Sequence, residues 1–473
     1  MNQKNRNIIV YIMAIWFIIS FVTNIIGPLI PIIIKWYRIN YALAGFLPFS
    51  FFAAYGIISI PAGFLLERRG QSVTMLGAFS LNAAGCVLIS TSVSYLAVVA
   101  GLFVIGLGMA MLQVVINPLT RSTVGEGNFA FYAVLGQLVF GAASFLSPFA
   151  LSLLQTNAAA FASYGPPWVP FYAAAGLVFA AFIALTALMR LPKAQIADDE
   201  RVGSAATYRE LLGNRTVLLF FFGIVAYVGT EQGLADWMGQ FLLVYHGVPA
   251  ETTGAYEVSL FWGLMVIGCM LGLVLLKLLD SQLILRIFGV GAVACVLAAL
   301  FGPTQVSLIA FPLCGFMLSV MWSIIFALAL NSVAEHHGSF TGILCTGILG
   351  GALIPLAIGW LGDRFGLRDA MFVILALLAY IISISFWARP LTKNETVWNR
   401  AEDDGILGND VVERQNAGAL VNDIGEPTDG FRGKQLHALL AVDLDESRSQ
   451  LGGRPECIAR DLCRGGWLRI RLL

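Results

Sequence analysis

The chain has 473 residues, of which 58% are hydrophobic and only 12% charged, with 28 Lys plus Arg against 28 Asp plus Glu. A soluble protein of this length could not cover so much apolar surface with so few charges, so lipid must be its solvent. A net charge of +0 excludes the basic footprint that a nucleic-acid partner requires. The seven cysteines show neither metal spacing nor a disulfide framework.

A helix needs about 20 apolar residues to cross ~30 Å of hydrocarbon. Twelve segments meet that length. The first half holds Ile8–Ile34, Leu43–Leu66, Val73–Ser94, Leu96–Thr120, Phe129–Leu154 and Trp168–Met189. The second holds Val217–Val244, Gly254–Leu276, Leu283–Phe301, Val306–Val333, Phe340–Leu361 and Met371–Trp387. Ile8–Ile34 is too long for a cleavable signal peptide. The expected organisation is a six-helix bundle over 1–190, a linker over 191–214, a second six-helix bundle over 215–393 and a polar tail over 394–473, read as a disordered extension or a small unassigned module without a role in transport.

The two bundles repeat one another. Shifted by 209 residues, Gly45 falls on Gly254, Phe52 on Phe261, Gly63 on Gly272, Gly106 on Gly315 and Gly141 on Gly350, without a gap. A duplicated, strongly apolar unit points to a transporter. Lys and Arg set its orientation. Lys4, Arg6, Arg68, Arg69, Arg121, Arg190, Lys193, Arg201, Arg209, Arg215, Lys277, Arg286, Arg389 and Lys393 fall on one side. Only Lys35, Arg38, Arg364 and Arg368 fall on the other. Both termini are therefore expected in the cytoplasm, with the protein a monomer in the inner (plasma) membrane.

After the second segment the chain reads Gly63-Phe-Leu-Leu-Glu67-Arg68-Arg69-Gly70-Gln71. This resembles the G-x-L-x-D-R-x-G-R signature of the major facilitator superfamily, with Glu67 for the usual Asp and Gln71 for the final Arg. The resemblance implies an all-α fold of two pseudo-symmetric bundles. It also makes Gly63, Glu67, Arg68 and Gly70 a gating latch. A similar stretch, Gly359-Trp-Leu-Gly-Asp363-Arg364-Phe-Gly366, closes the eleventh segment on the opposite side; the counterpart after the eighth keeps only Gly272 and Lys277.

Three further stretches are similar to the fucose–proton symporter family, which includes bacterial glucose/galactose transporters. They are Trp16 to Gly70, with Asn24 and Leu29-Ile30-Pro31; Gly106-Leu-Gly108 through Gln113 to Asn117-Pro118; and Tyr227-Val228-Gly229-Thr230-Glu231. The resemblance implies a sugar substrate, and it places the first, fourth, seventh and tenth segments around a central cavity. Where the proton-coupled fucose member carries acids in its first and fourth spans, this chain has Gly27 and Gln113, neither of which titrates. That shifts the expected coupling ion from a proton towards sodium, with no other cofactor.

Ionisable groups within a span are costly and read as functional. Glu231 lies near the middle of the seventh segment between Gly229 and Gly233, which lower the cost of unwinding the helix there. It is expected to ligate a cation or accept a sugar hydroxyl. Asp236, five residues on, lies about 140° around an ideal helix and so on a different face. It is the offset partner of Gly27 and a second ion-coupling candidate. Glu257 opens the eighth segment and is expected at the membrane interface. Gln113 and Asn117 share a helix face; with Asn24 and Gln137 they supply amides that donate to and accept from ring hydroxyls. Trp322, the offset partner of Gln113, offers a flat apolar face for a sugar ring. The expected activity is import of glucose or another hexose by alternating access. An uncoupled facilitator, a multidrug exporter and a non-transporting receptor are the alternatives. No nucleophile–base–acid set marks an enzyme.

Overall fold

A computed structural model of the chain describes residues 3–92, 94–156, 166, 168–189, 191, 205–333 and 337–389. Residues 192–204 of the linker and the segment 394–473 lie outside the described residues. Among the described residues, twelve helices are long and apolar enough to cross a membrane, and none of the elements is a strand. They run Asn5–Tyr37, Tyr41–Arg69, Gln71–Thr91, Tyr95–Val124, Leu135–Leu153, Trp168–Leu188, Arg215–His246, Ala250–Leu278, Ser281–Phe301, Thr304–Leu330, Phe340–Phe365 and Leu367–Trp387. They are called spans 1 to 12 below. Each expected segment has its span, because only a continuous helix satisfies every backbone group in hydrocarbon.

Spans 1, 10 and 11 are broken where one unbroken helix was expected. Span 1 divides into Gln3–Thr23 and Ile26–Tyr37, with a turn at Asn24 and Ile25. Pro28 lacks the N–H that would bond the carbonyl of Asn24, four residues back, so the break follows from sequence. Span 10 divides into Thr304–Leu318 and Met321–Leu330. There the Ser319 hydroxyl turns back onto the carbonyl of Phe316 at 2.7 Å, which competes with the helical ladder. Span 11 passes through a 3-10 turn at Gly347–Leu349.

The repeat is visible in three dimensions. In the first half, span 4 packs on spans 2 and 3, span 3 on span 6, and span 1 on span 5. In the second half, span 10 packs on spans 8 and 9, span 9 on span 12, and span 7 on span 11. Paired glycines explain the register. A Cβ at Gly106 would strike the carbonyl oxygen of Phe51 in span 2, and a Cβ at Gly315 would strike that of Phe261 in span 8. Small residues let helix backbones approach where lipid provides no hydrophobic drive. Between the halves, span 2 packs on span 11 and span 5 on span 8, which are equivalent pairs under the repeat.

Candidate functional site

The two halves pack closely at the face opposite the N-terminus, the far face. The Gly45 Cα stands where a Cβ would lie 2.9 Å from the Leu356 Cα, and Gly359 sits against the Tyr41 carbonyl. Gly27 abuts span 7, with its missing Cβ 2.5 Å from the Ala235 carbonyl oxygen and 3.2 Å from the Asp236 Cα. An acid, such as the fucose–proton symporter family carries at this place, could not fit, because span 7 fills it.

Two polar contacts cross the same rim. Asp363, in the signature-like stretch that ends span 11, accepts hydrogen bonds from the backbone N–H groups of Tyr41 and Ala42, both at 2.8 Å. Asn40 accepts from Leu43 N–H at 3.0 Å, so the first turn of span 2 has its orphan donors met, two of them by the other half. Lys35 pairs with Glu251 at 2.6 Å, but the lysine is 76% exposed and such pairs contribute little. The Asp363 cap is the stronger tie, because its donors are fixed by the backbone and aligned with the helix dipole.

Both copies of the signature end their helices alike. Gly70 has φ 78° and ψ 171°, and Gly366 has φ 88° and ψ 153°, each donating its N–H four residues back, to Leu66 and Gly362. A left-handed φ at this position favours glycine. Spans 2 and 11 are neighbours, so the two signatures stand at opposite ends of one helix pair. Glu67 and Arg68 are exposed and Gly63 is half-buried. Gln71, in place of the signature's arginine, is buried with neither side-chain polar atom hydrogen-bonded.

Span 7 carries the acids, and it is a continuous helix from Arg215 to His246 rather than an unwound one. Gly229 and Gly233 serve close packing instead. A Cβ at Gly229 would collide with Ile354, and one at Gly233 would lie 3.1 Å from Ile358 Cδ1, both in span 11. Glu231 lies on the opposite side of the helix, since two residues turn it by about 200°. It is half-buried, and its Oε1 accepts from the Tyr227 hydroxyl at 3.3 Å. The Tyr227 ring lies 5.9 Å from Trp322, which stacks on Phe326 at 5.9 Å. The structure thus joins Glu231 and Trp322 through Tyr227, a residue without a role of its own in the sequence reading. Its signal was available: Tyr227 and Glu231 are four apart on one helix.

Asp236 has the surroundings its different face implies. It is 2% exposed, beside Gly27, and its Oδ2 has no hydrogen-bond partner. Glu257, in the first turn of its helix, is only 6% exposed, with Oε2 unpartnered. A turn of π-helix at Ala250–Gly254 packs the start of span 8 onto span 7, with Gly254 against Gly239, and this draws the following turn inward.

The amides separate. Asn24 is buried at the break in span 1, and its Nδ2 donates to the Ser20 carbonyl at 3.0 Å and the Ser144 hydroxyl at 3.0 Å. Ser20 and Ser144 are themselves 2.6 Å apart. Its donor group ties span 1 to span 5. Asn24→Ala should lower thermal stability by about 1 kcal/mol, with substrate affinity held; detergent melting curves and a binding isotherm on one preparation check this. Gln113 is half-buried, and Asn117 and Gln137 are exposed. Among the described residues no hydrogen bond joins these three to Glu231 or Trp322, which belong to the other half.

A cavity of about 350 Å³ opens between spans 2, 7 and 11, on the N-terminal side of the far-face contact. Ala53, Gly56, Ile57, Phe221, Thr346 and Leu349 line it. Its walls are mostly apolar. Among the described residues no group of three or more His, Cys, Asp or Glu could hold a metal ion.

The Major Facilitator Superfamily sequence profile matches residues 12–348. A protein described as a glucose/galactose transporter, from Brucella abortus, is 28% identical over 400 residues, spanning 80% of this chain and 94% of its own length. The L-fucose-proton symporter of Escherichia coli is 24% identical over 401 residues, spanning 78% of this chain and 90% of its own. Among solved structures, the superfamily transporter FucP in its outward conformation superposes with TM-score 0.60 at 20% identity, covering 80% of this chain and 98% of that one. A bacterial homologue of the lysosomal transporter Spinster, inward-facing and occupied, superposes with TM-score 0.68 at 15% identity, covering 82% and 97%. These likenesses carry the fold.

Proposed function

The chain belongs to the major facilitator superfamily, and on that premise we propose that it is a secondary active transporter importing glucose or another hexose, coupled to a cation, sodium ahead of the proton. The observation that carries this reading is the Tyr227–Glu231–Trp322 cluster. A carboxylate that accepts hydroxyls or ligates a cation stands beside an aromatic face that takes the C–H side of a pyranose. The names borne by the relatives, a glucose/galactose transporter and an L-fucose-proton symporter, support the same substrate class. Transport proceeds by rocking of the halves about the midplane, with the far face sealed in one state and released in the other. Gln113 and Asn117 present amides to the substrate from the first half in this scheme. The protein acts as a monomer in the plasma membrane with both termini in the cytoplasm.

Sodium is placed ahead because Gly27 and Gln113 cannot titrate, and Asp236 supports a coupling role as a buried carboxyl without a hydrogen bond to Oδ2. Radiolabelled hexose uptake into proteoliposomes, under an imposed sodium or proton gradient, tests the proposal. Accumulation is expected under one gradient and collapses with its ionophore. Absence of uptake of every hexose under both gradients rules the reading out.

A further inference from the structure

Tyr227 links Glu231 to Trp322. We infer that Tyr227 is a positioning residue, which holds the Glu231 carboxylate and the Trp322 ring as one preset unit. This rests on the proposal that Glu231 and Trp322 form the binding site.

The geometry comes from four spans, 7, 8, 10 and 11. Span 7 is pinned on its glycine side, where Gly229 and Gly233 press on Ile354 and Ile358 of span 11. That contact fixes the rotation of the helix, and Tyr227 and Glu231 take the opposite side. Tyr227 is 3% exposed, so its ring has little freedom. Its hydroxyl reaches Glu231 Oε1 at 3.3 Å, while the carboxylate as a whole stays half-buried and open to accessible space. One oxygen is thereby restrained and the other is left for a ligand.

The same ring braces Trp322. Span 10 is broken just before it, and the break is wedged in place from span 8. A Cβ at Gly268 would strike the Ser319 hydroxyl, and one at Gly272 would strike Val320. The Cys269 thiol donates to the Ser319 carbonyl at 3.2 Å, where the interrupted helix leaves an acceptor. Met321–Leu330 resumes at once, so Trp322 sits in the first turn of the new segment. A side chain at a helix break has less support from its own helix than one in mid-helix. Tyr227 on one side and Phe326 on the other supply that support. Binding groups held by packing and by hydrogen bonds from neighbouring groups lose less freedom when the ligand arrives.

The test uses the full chain in proteoliposomes. Tyr227→Phe keeps the ring and removes the hydroxyl. It is expected to raise the apparent KM for the coupling cation about tenfold, the value of one charge-assisted hydrogen bond, while maximal uptake rate and melting temperature hold. In a Glu231→Gln background, where cation affinity is read from a binding titration because coupled uptake is lost, the same change should add less than about twofold, since coupled groups are not additive. A full tenfold effect in that background, or an unchanged KM in the single variant, overturns the inference. If Tyr227→Phe does not reach the membrane, Glu231→Asp serves instead. The shorter carboxylate retreats from the hydroxyl and should reproduce the KM shift; an unaltered KM there is equally adverse. The two layers separate cleanly. If Glu231→Gln leaves coupling intact, the reading of Glu231 fails. If it abolishes coupling while Tyr227→Phe does nothing, only the role of Tyr227 fails.

Discussion

Glu231→Gln should abolish concentrative hexose uptake while leaving sugar-for-sugar exchange in place. Glutamine keeps the length of the side chain and still accepts from the Tyr227 hydroxyl, so the helix contact is preserved. Only the charge is lost. A carboxylate that ligates a cation within the membrane makes a charge-assisted contact of about 1.5–3 kcal/mol, so cation affinity should fall by roughly ten- to a hundredfold. At ordinary cation concentrations the gradient then no longer drives the sugar, and the internal concentration relaxes to the external one. The measurement is accumulation under an imposed gradient, run beside counterflow in the same vesicles. Loss of the first with retention of the second is the expected pattern. Unchanged accumulation would make the protein an uncoupled facilitator. Loss of both would place Glu231 on the sugar itself.

Asp363→Ala should open the far face. The carboxylate supplies two hydrogen bonds to the start of span 2 across the boundary between halves, and it complements the helix dipole there. Its site is exposed, so water replaces part of what is lost. Loss of a helix cap in such a place costs about 1–2 kcal/mol, which shifts a two-state ratio by roughly five- to thirtyfold. Lys35→Ala, removing the exposed ion pair with Glu251, should shift it far less. Spin labels at Trp36 and Phe365, both exposed beside the rim, report the gap directly. A second, longer distance should grow in Asp363→Ala and stay minor in Lys35→Ala. Identical distance distributions in the wild type and Asp363→Ala would show that the cap is not a latch. The expected direction matters for transport: a far face that closes less readily slows the import step, in which that face must seal, and eases the return of the empty carrier, in which it opens.

Much of this fold is legible in the chain itself. Bilayer thickness dictates the length of an apolar run, so twelve runs became twelve spans. The break at Asn24 could have been read from Pro28, four residues downstream, because a missing N–H frees a known carbonyl. The glycines at 106 and 315 announced close helix contacts and made them. The 209-residue offset also showed where symmetry ends. Gly141 and Gly350 are equivalent in sequence, yet Gly141 meets Val266 in the other half, while Gly350 meets the Val225 carbonyl within its own. The local signal is the same; the partner is set by how the two bundles face each other.

The site was less legible, for a physical reason. Glu231 stood out because an acid in a span is costly wherever it points. Asn24 was expected to face the sugar, and nothing in its own stretch of sequence says that its amide N–H groups also bond Ser20 and Ser144, the latter 120 residues away. Gly229 and Gly233 suggested an unwound helix, but span 11 presses on them and keeps it wound. Composition, span length, orientation bias and helix-end glycines depend on neighbours along the chain and on the solvent, and both are known once the residues are in order. The pairing of Tyr227 with Glu231 and Trp322, the burial of Asp236 under Gly27, and the capping of Tyr41 by Asp363, 322 residues away, depend on helix rotation and on which helices touch. Those are outcomes of packing, and they exist only where the spans stand against one another.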